Sequence, residues 1–108
     1  MEIQKKKVEA GGIKFFIEKE GREIARAYLY IMKNDLHEKP FGLMEDVYVD
    51  EAYRGGICFA RLIDNVIEEA GQRCYKLIAT SRDERKKVHE LYRRKGFRQH
   101  GLEFRMDF

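Results

Sequence analysis

The chain has 108 residues, of which 44% are hydrophobic, 38% are charged and one is proline, with a formal net charge of +3. That length holds one domain, residues 1–108, with one core, and excludes a large multidomain enzyme. No apolar run approaches the ~20 residues that cross a bilayer, and no apolar stretch follows the basic start to make a leader. Cys58 and Cys74 build neither a disulfide framework nor, without histidines at ligand spacing, a metal site, so a reduced, cytoplasmic chain is expected.

In chain order, residues 2–9 are charged enough to form a guarded edge strand. After Gly11-Gly12, alternation over Ile13–Glu18 predicts a strand. A turn at Glu20-Gly21 leads to a longer strand over Ile24–Met32, making a hairpin. Residues 33–42 read as a polar loop. Leu43–Val49 is the next strand, with a β-branched and aromatic end that suits a central position.

The period then changes. Phe59, Leu62, Ile63, Val66, Ile67 and Ala70 recur at helical spacing, and Gly71 supplies a stop. Tyr75–Thr80 is a further strand. Ser81-Arg82-Asp83-Glu84 has capping-box spacing and opens a second helix, lined by Val88, Leu91 and Tyr92 and ended by Gly96. Phe97 and the stretch 102–108 read as closing strands. The order β-β-β-β-α-β-α-β-β describes an α+β domain whose sheet begins antiparallel and turns parallel through two crossovers.

Charge is uneven along this order. Residues 73–98 carry ten Lys and Arg against three acids, a local +7 that leaves −4 elsewhere. A basic end suits a phosphate-bearing ligand, and an acidic remainder suits a cationic one. It also suits a salt-bridged helix face, or nucleic acid. No recognised aromatic–basic platform accompanies the charge, so nucleic acid is the weaker partner.

The informative segment is Glu45-Asp46-Val47-Tyr48-Val49-Asp50-Glu51-Ala52-Tyr53-Arg54-Gly55-Gly56, where a strand ends and a helix begins. Free amides at a helix start, with the positive end of its dipole, attract anions, and glycines let a ligand approach the backbone. A plain strand-to-helix turn would use the same glycines for geometry alone.

This unit, followed at fixed distance by Leu91-Tyr92-Arg93-Arg94-Lys95-Gly96-Phe97, resembles the GNAT superfamily of acyl-CoA-dependent N-acyltransferases. The resemblance spans residues 13–108. It implies an N-acetyltransferase that uses acetyl-CoA as co-substrate, with no metal, and passes the acetyl group directly to a primary amine, either a small molecule or a protein lysine or N-terminus. The acyl thioester would lie in a splay between strands 43–49 and 75–80. Backbone at Val47, Tyr48 and Val49 would hold the pantetheine arm and polarise the carbonyl. The loop and helix start, Arg54, Gly55, Gly56, Ile57, Cys58, Phe59 and Ala60, would take the pyrophosphate, with Arg85 and Lys86 as further phosphate contacts.

Tyr92 matches the family's general acid, protonating the leaving thiolate. Glu45 is the candidate base with Asp46 second, and strand alternation puts the two on opposite faces. His89 is a weaker alternative base. Cys58 at the helix start raises a ping-pong route that the family does not normally use.

The chain departs from the family pattern in places. Without a gap, the small-residue slots of the phosphate loop fall on Ile57 and Phe59. With one residue deleted they fall on Gly56 and Cys58. A bulky Phe59 near the phosphates would reshape the site, which raises the alternative of a CoA-binding or regulatory module without turnover. Arg85 replaces an asparagine common in relatives. The family's early helices, which wall the acceptor site, have only Ala10-Gly11-Gly12 as an interval. An open acceptor groove, or a homodimer whose partner supplies the wall, is then expected. Glu18, Glu20, Glu23, Asp35 and Glu38 favour a cationic acceptor.

Overall fold

The computed structural model describes all 108 residues. Three long strands come first: β1 (Ala10–Lys19), β2 (Arg22–Met32) and β3 (Phe41–Val49). The helix α1 (Cys58–Arg73), the short β4 (Leu77–Ala79) and α2 (Lys86–Arg94) follow. Strand order is β1-β2-β3-β4, antiparallel up to β3 and parallel between β3 and β4. No helix is long and apolar enough to cross a membrane.

The hairpin turn is the one the sequence calls for. Glu20 and Gly21 both have positive φ (53° and 76°), the backbone that matches the twist of the flanking strands. Alternation buries Ala25, Ala27 and Leu29 of β2 on one face. The helical stripe of α1 (Leu62, Ile63, Val66 and Ala70) covers that face, and Met44 and Val49 of β3 complete the core. The opposite sheet face carries no helix over β1 and β2 and shows Phe16, Tyr30 and Tyr48 to solvent.

Several expectations fail, each for a local reason. Residues 2–9 form no strand; the sheet starts at Ala10, and only Glu9 keeps a main-chain bond, accepting from Lys33 at 3.1 Å. The interval taken as a helix-free link between two strands therefore has no strand before it. Helix α1 runs through Gly71 to Arg73, because Cys74 N–H still reaches Ala70 O at 2.7 Å. The strand after it shrinks to Leu77–Ala79. The capping box does not form: α2 starts at Lys86 behind Arg85, without a side-chain cap, and Ser81 Oγ is buried without a partner. No closing strand follows α2, so only one of the two expected β-α-β crossovers exists.

The end of α2 has a clear physical cause. Gly96 takes φ 106°, Gly96 N–H donates to Arg93 O, and Phe97 N–H donates back to Tyr92 O at 3.0 Å. This is a Schellman closure, and its usual apolar contact is the Tyr92–Phe97 ring pair, with centroids 5.2 Å apart. The spacing Tyr92-x-x-x-Gly96-Phe97 is thus one structural device. Lys95 ties this end to Asp64 of α1 at 2.7 Å.

Candidate active site

The site begins where β3 and β4 part. Their parallel register covers Gly42–Leu77, Leu43–Ile78 and Met44–Ala79 and then stops, while β3 continues to Val49. The main chain of residues 45–49 therefore has no strand neighbour on the β4 side. Buried Gly42 permits the close approach at the base of this slot. A Cβ there would sit 3.0 Å from Leu29 Cδ1 and 3.2 Å from Leu77 Cδ1.

A β-bulge marks the same stretch. The β2–β3 register slips between Arg26 and Tyr28, and Asp46 takes φ 51°. Strand alternation therefore breaks at Asp46, and the expected placement of Glu45 and Asp46 on opposite faces does not describe them. Glu45 is half-buried and pairs across the ladder with Tyr28, while Asp46 is exposed. Burial raises the Glu45 carboxyl above its ordinary range, with the charges of Asp46 and Glu103 adding to the effect and a bond from the Asp46 amide opposing it.

The turn beyond β3 is tied down at several points. Asp50 accepts from Ala52 N–H and pairs with Arg22, and its own N–H donates to Ile24 O at 2.7 Å. Arg54 Nε donates to Val49 O at 2.9 Å, and its guanidinium lies over the Tyr48 ring. Arg54 is thus partly engaged in holding the loop. Gly55 follows at φ 82°.

The first helical bond of α1 runs from Arg61 N–H to Ile57 O. No main-chain carbonyl accepts from the amides of Gly55, Gly56, Ile57, Cys58, Phe59 or Ala60, and Ile57 offers no side-chain cap. A Cβ on Gly55 would meet nothing within 4 Å, and one on Gly56 only Tyr53 O at 3.5 Å. Open backbone, unused donors and a sixteen-residue helix dipole fit a pyrophosphate at this end.

The two bulky residues in the loop point differently. Ile57 is exposed. Phe59 turns inward, packs against both core clusters, and lies 6.3 Å from the Tyr92 ring at an interplanar angle of 19°. Its ring is therefore part of the core and not of the phosphate loop. Cys58 likewise packs against Ala25, Val49 and Leu62.

Tyr92 sits between the rings of Phe59 and Phe97. Burial holds its phenol above the ordinary value. Arg85 opposes that shift, and the charge of Glu45 adds to it. The fold thus brings Tyr92, Glu45 and Arg85 within electrostatic reach of one another from β3 and both ends of α2. His89 is engaged elsewhere: its Nε2 lies 2.8 Å from Arg82 O, an acceptor, so the ring nitrogen donates and fastens the turn before α2.

Sequence reasoning missed Tyr28, which stands beside Glu45 and stacks with Tyr30 at 6.2 Å. Its alternation with buried Ala27 and Leu29 was readable, but the pairing across to Glu45 depends on the bulge. Two acids taken as favouring a cationic acceptor are already paired, Glu23 with Lys14 and Arg26, and Asp35 with Lys6. Surface hollows bounded by Glu9, Pro40 and Arg73, and by Lys14, Phe16 and Arg61, lie away from this constellation and gather no comparable chemistry.

Parting parallel strands with a donor-rich helix start beyond them define a class, the α+β acyltransferase fold. The chain belongs to the acetyltransferase (GNAT) domain family, whose sequence pattern matches residues 11–99. It is similar to a Trypanosoma brucei acetyltransferase, at 31% identity over 91% of this chain and 70% of that one, with a TM-score of 0.80. A protein from Agrobacterium tumefaciens assigned as an acetyltransferase is 29% identical over 91% of this chain and 69% of its own, also at 0.80. Glucosamine-6-phosphate N-acetyltransferase from Arabidopsis thaliana is 25% identical over 90% and 67%, at 0.78. No curated protein sequence is similar enough to the chain to count as a relative.

Proposed function

We propose that this chain transfers an acetyl group from acetyl-CoA directly to a primary amine. The observation that carries the reading is the run of unused amides from Gly55 to Ala60, set beyond the point where β3 leaves β4. In this reading those amides hold the pyrophosphate, and the free strand edge at Val47–Val49 takes the pantetheine arm and polarises the carbonyl.

The amine nitrogen bonds to the carbonyl carbon and the carbon–sulfur bond breaks. Glu45, with its raised proton affinity, accepts the proton from the ammonium or from an intervening water. Tyr92, held neutral by burial, delivers a proton to the departing thiolate, and Arg85 eases the negative charge that then appears. Tyr28 and the uncovered sheet face beside Glu45 line the approach of the acceptor. The inward turn of Phe59 supports turnover over a binding module, since the ring does not obstruct the loop.

Calorimetric titration with acetyl-CoA tests the reading. Saturable binding, lost when CoA is replaced by dephosphorylated pantetheine, is expected. Absence of both heat and thermal shift at millimolar acetyl-CoA would sink it.

A further inference from the structure

The segment Leu102-Glu103-Phe104-Arg105-Met106-Asp107-Phe108 alternates apolar and charged residues with the period of a strand. It is extended as a strand would be: Arg105 Nε reaches Asp107 Oδ1, two residues on, at 2.7 Å. It nevertheless pairs with nothing. Residues 98–108 make no main-chain hydrogen bond, and Leu102, Phe104, Met106 and Phe108 are 79%, 90%, 77% and 112% exposed. A single chain rarely leaves four large apolar side chains of one strand face in water. The molecule's radius of gyration is 15.9 Å, against about 13 Å for a compact domain of this length, because both ends stand off the body.

The sheet has a matching vacancy in its hydrogen bonding. β4 is the last strand, so its outer edge is unpaired, and Ile78 is partly exposed there. The flanks of β4 are basic, with Lys76, Arg82 and Arg85, whereas the charged face of the tail carries Glu103 and Asp107 against one Arg105.

We propose that residues 102–108 add as a strand to the β4 edge of a second copy of this chain, reciprocally, giving a two-fold dimer with exchanged tails. Two-fold symmetry makes each copy both donor and acceptor, so the contact closes and does not propagate. At roughly 150–250 Å² per aromatic side chain, Phe104 and Phe108 of two tails remove about 600–1,000 Å² on the donor side. An equal area on the receiving side brings the total to roughly 1,200–2,000 Å², the range of specific interfaces. The edge covered belongs to the strand that bounds the slot, so each copy's tail would brace the other's site. None of this depends on the acyl-transfer reading.

Sedimentation equilibrium of the full chain and of a Phe104→Glu/Phe108→Glu variant tests the proposal. The parent is expected to be a dimer at micromolar concentration. The variant is expected to be a monomer with unchanged far-UV circular dichroism, since these side chains touch nothing within one chain. A parent that stays monomeric at high micromolar concentration, or a variant that stays dimeric, would overturn it. Oxidation of an Ile78→Cys/Phe104→Cys chain in a Cys58→Ser/Cys74→Ala background locates the contact. A disulfide-linked dimer is expected, and a bridge closed within one chain, or no bridge, would refute it.

Discussion

The ring of Tyr92 stacks on the ring of Phe59, centroids 6.3 Å apart, and this contact joins the second helix to the first turn of α1. The phenol's position therefore depends on a residue that also follows directly on the phosphate loop. Phe59→Ala should cost about 2–4 kcal/mol of stability, somewhat below the full core value because the ring is only half-buried. Phe59→Leu should cost under about 1.5 kcal/mol. Denaturant unfolding of both variants checks the ordering, and equal losses would show that the ring is not packed as described.

Removing the hydroxyl alone separates chemistry from packing. Tyr92→Phe keeps both ring contacts, so its melting temperature should stay close to the parent's. Its kcat should fall by about 100-fold or more if the phenol protonates the thiolate. The phenol's proton affinity is raised, so the parent should keep this donor through neutral pH and lose it only above pH 10. Stability linked to this group is fully present below its unfolded value near 10 and declines as pH rises beyond it. A pH–rate profile whose alkaline limb begins well below pH 10 would assign that limb to another group.

Glu45 sets function against stability. Its folded proton affinity is raised, chiefly by burial, so the stability linked to it is present at low pH. That stability is lost as pH rises from about 4.5 through the folded value. At pH 7 the ionised carboxylate is therefore a burden on the fold. Glu45→Gln should raise the melting temperature by about a few degrees at pH 7, given that about 1 kcal/mol moves a domain of this size by about 4–8 °C. The gain should vanish near pH 4, while acetyl transfer falls. Calorimetry at the two pH values gives the comparison.

The paired glycines divide backbone from ligand effects. Gly55 holds φ 82° in open space, so Gly55→Ala should cost roughly 1–2 kcal/mol through the backbone alone. Gly56→Ala meets only Tyr53 O at ordinary contact distance and should fold normally. If the neighbouring amides hold a pyrophosphate, the new methyl of Gly56→Ala should weaken acetyl-CoA binding at unchanged stability. Calorimetric titration against the parent reads this directly.

Ser81 offers a gain. Its hydroxyl is buried without a partner, so Ser81→Ala should stabilise the chain by about 1 kcal/mol. A destabilised variant would mean that the hydroxyl is hydrogen-bonded after all.

Most of the architecture was legible because it rests on short-range regularities. Alternation at Ala25, Ala27 and Leu29, the helical stripe from Leu62 to Ala70, and the Gly96-Phe97 closure each depend on neighbours in sequence. What escaped depends on distant partners or on competition between partners. The bulge at Asp46 follows from its register against Arg26 and Tyr28. Ser81 has the right spacing for a cap, but the helix begins beyond it, at Lys86. The tail alternates like a strand yet has no free edge beside it within its own chain. Phe59 was read by its place in a loop pattern, whereas its direction is set by helix phase, which turns it to the core.

The contact at Gly42 reaches beyond local packing. The parallel ladder has three register pairs, and the one at its base leaves no room for a β-carbon. Gly42 is thus the fulcrum on which two halves of the molecule meet, one built on the antiparallel strands and α1, the other on β4 and α2. A methyl group there would act as a wedge, and a wedge at the fulcrum moves the far ends of both strands. The aperture near Glu45 and Val47 is therefore governed from a position that touches no reacting group. Gly42→Ala could change which acyl chain fits while every side chain of the slot keeps its identity.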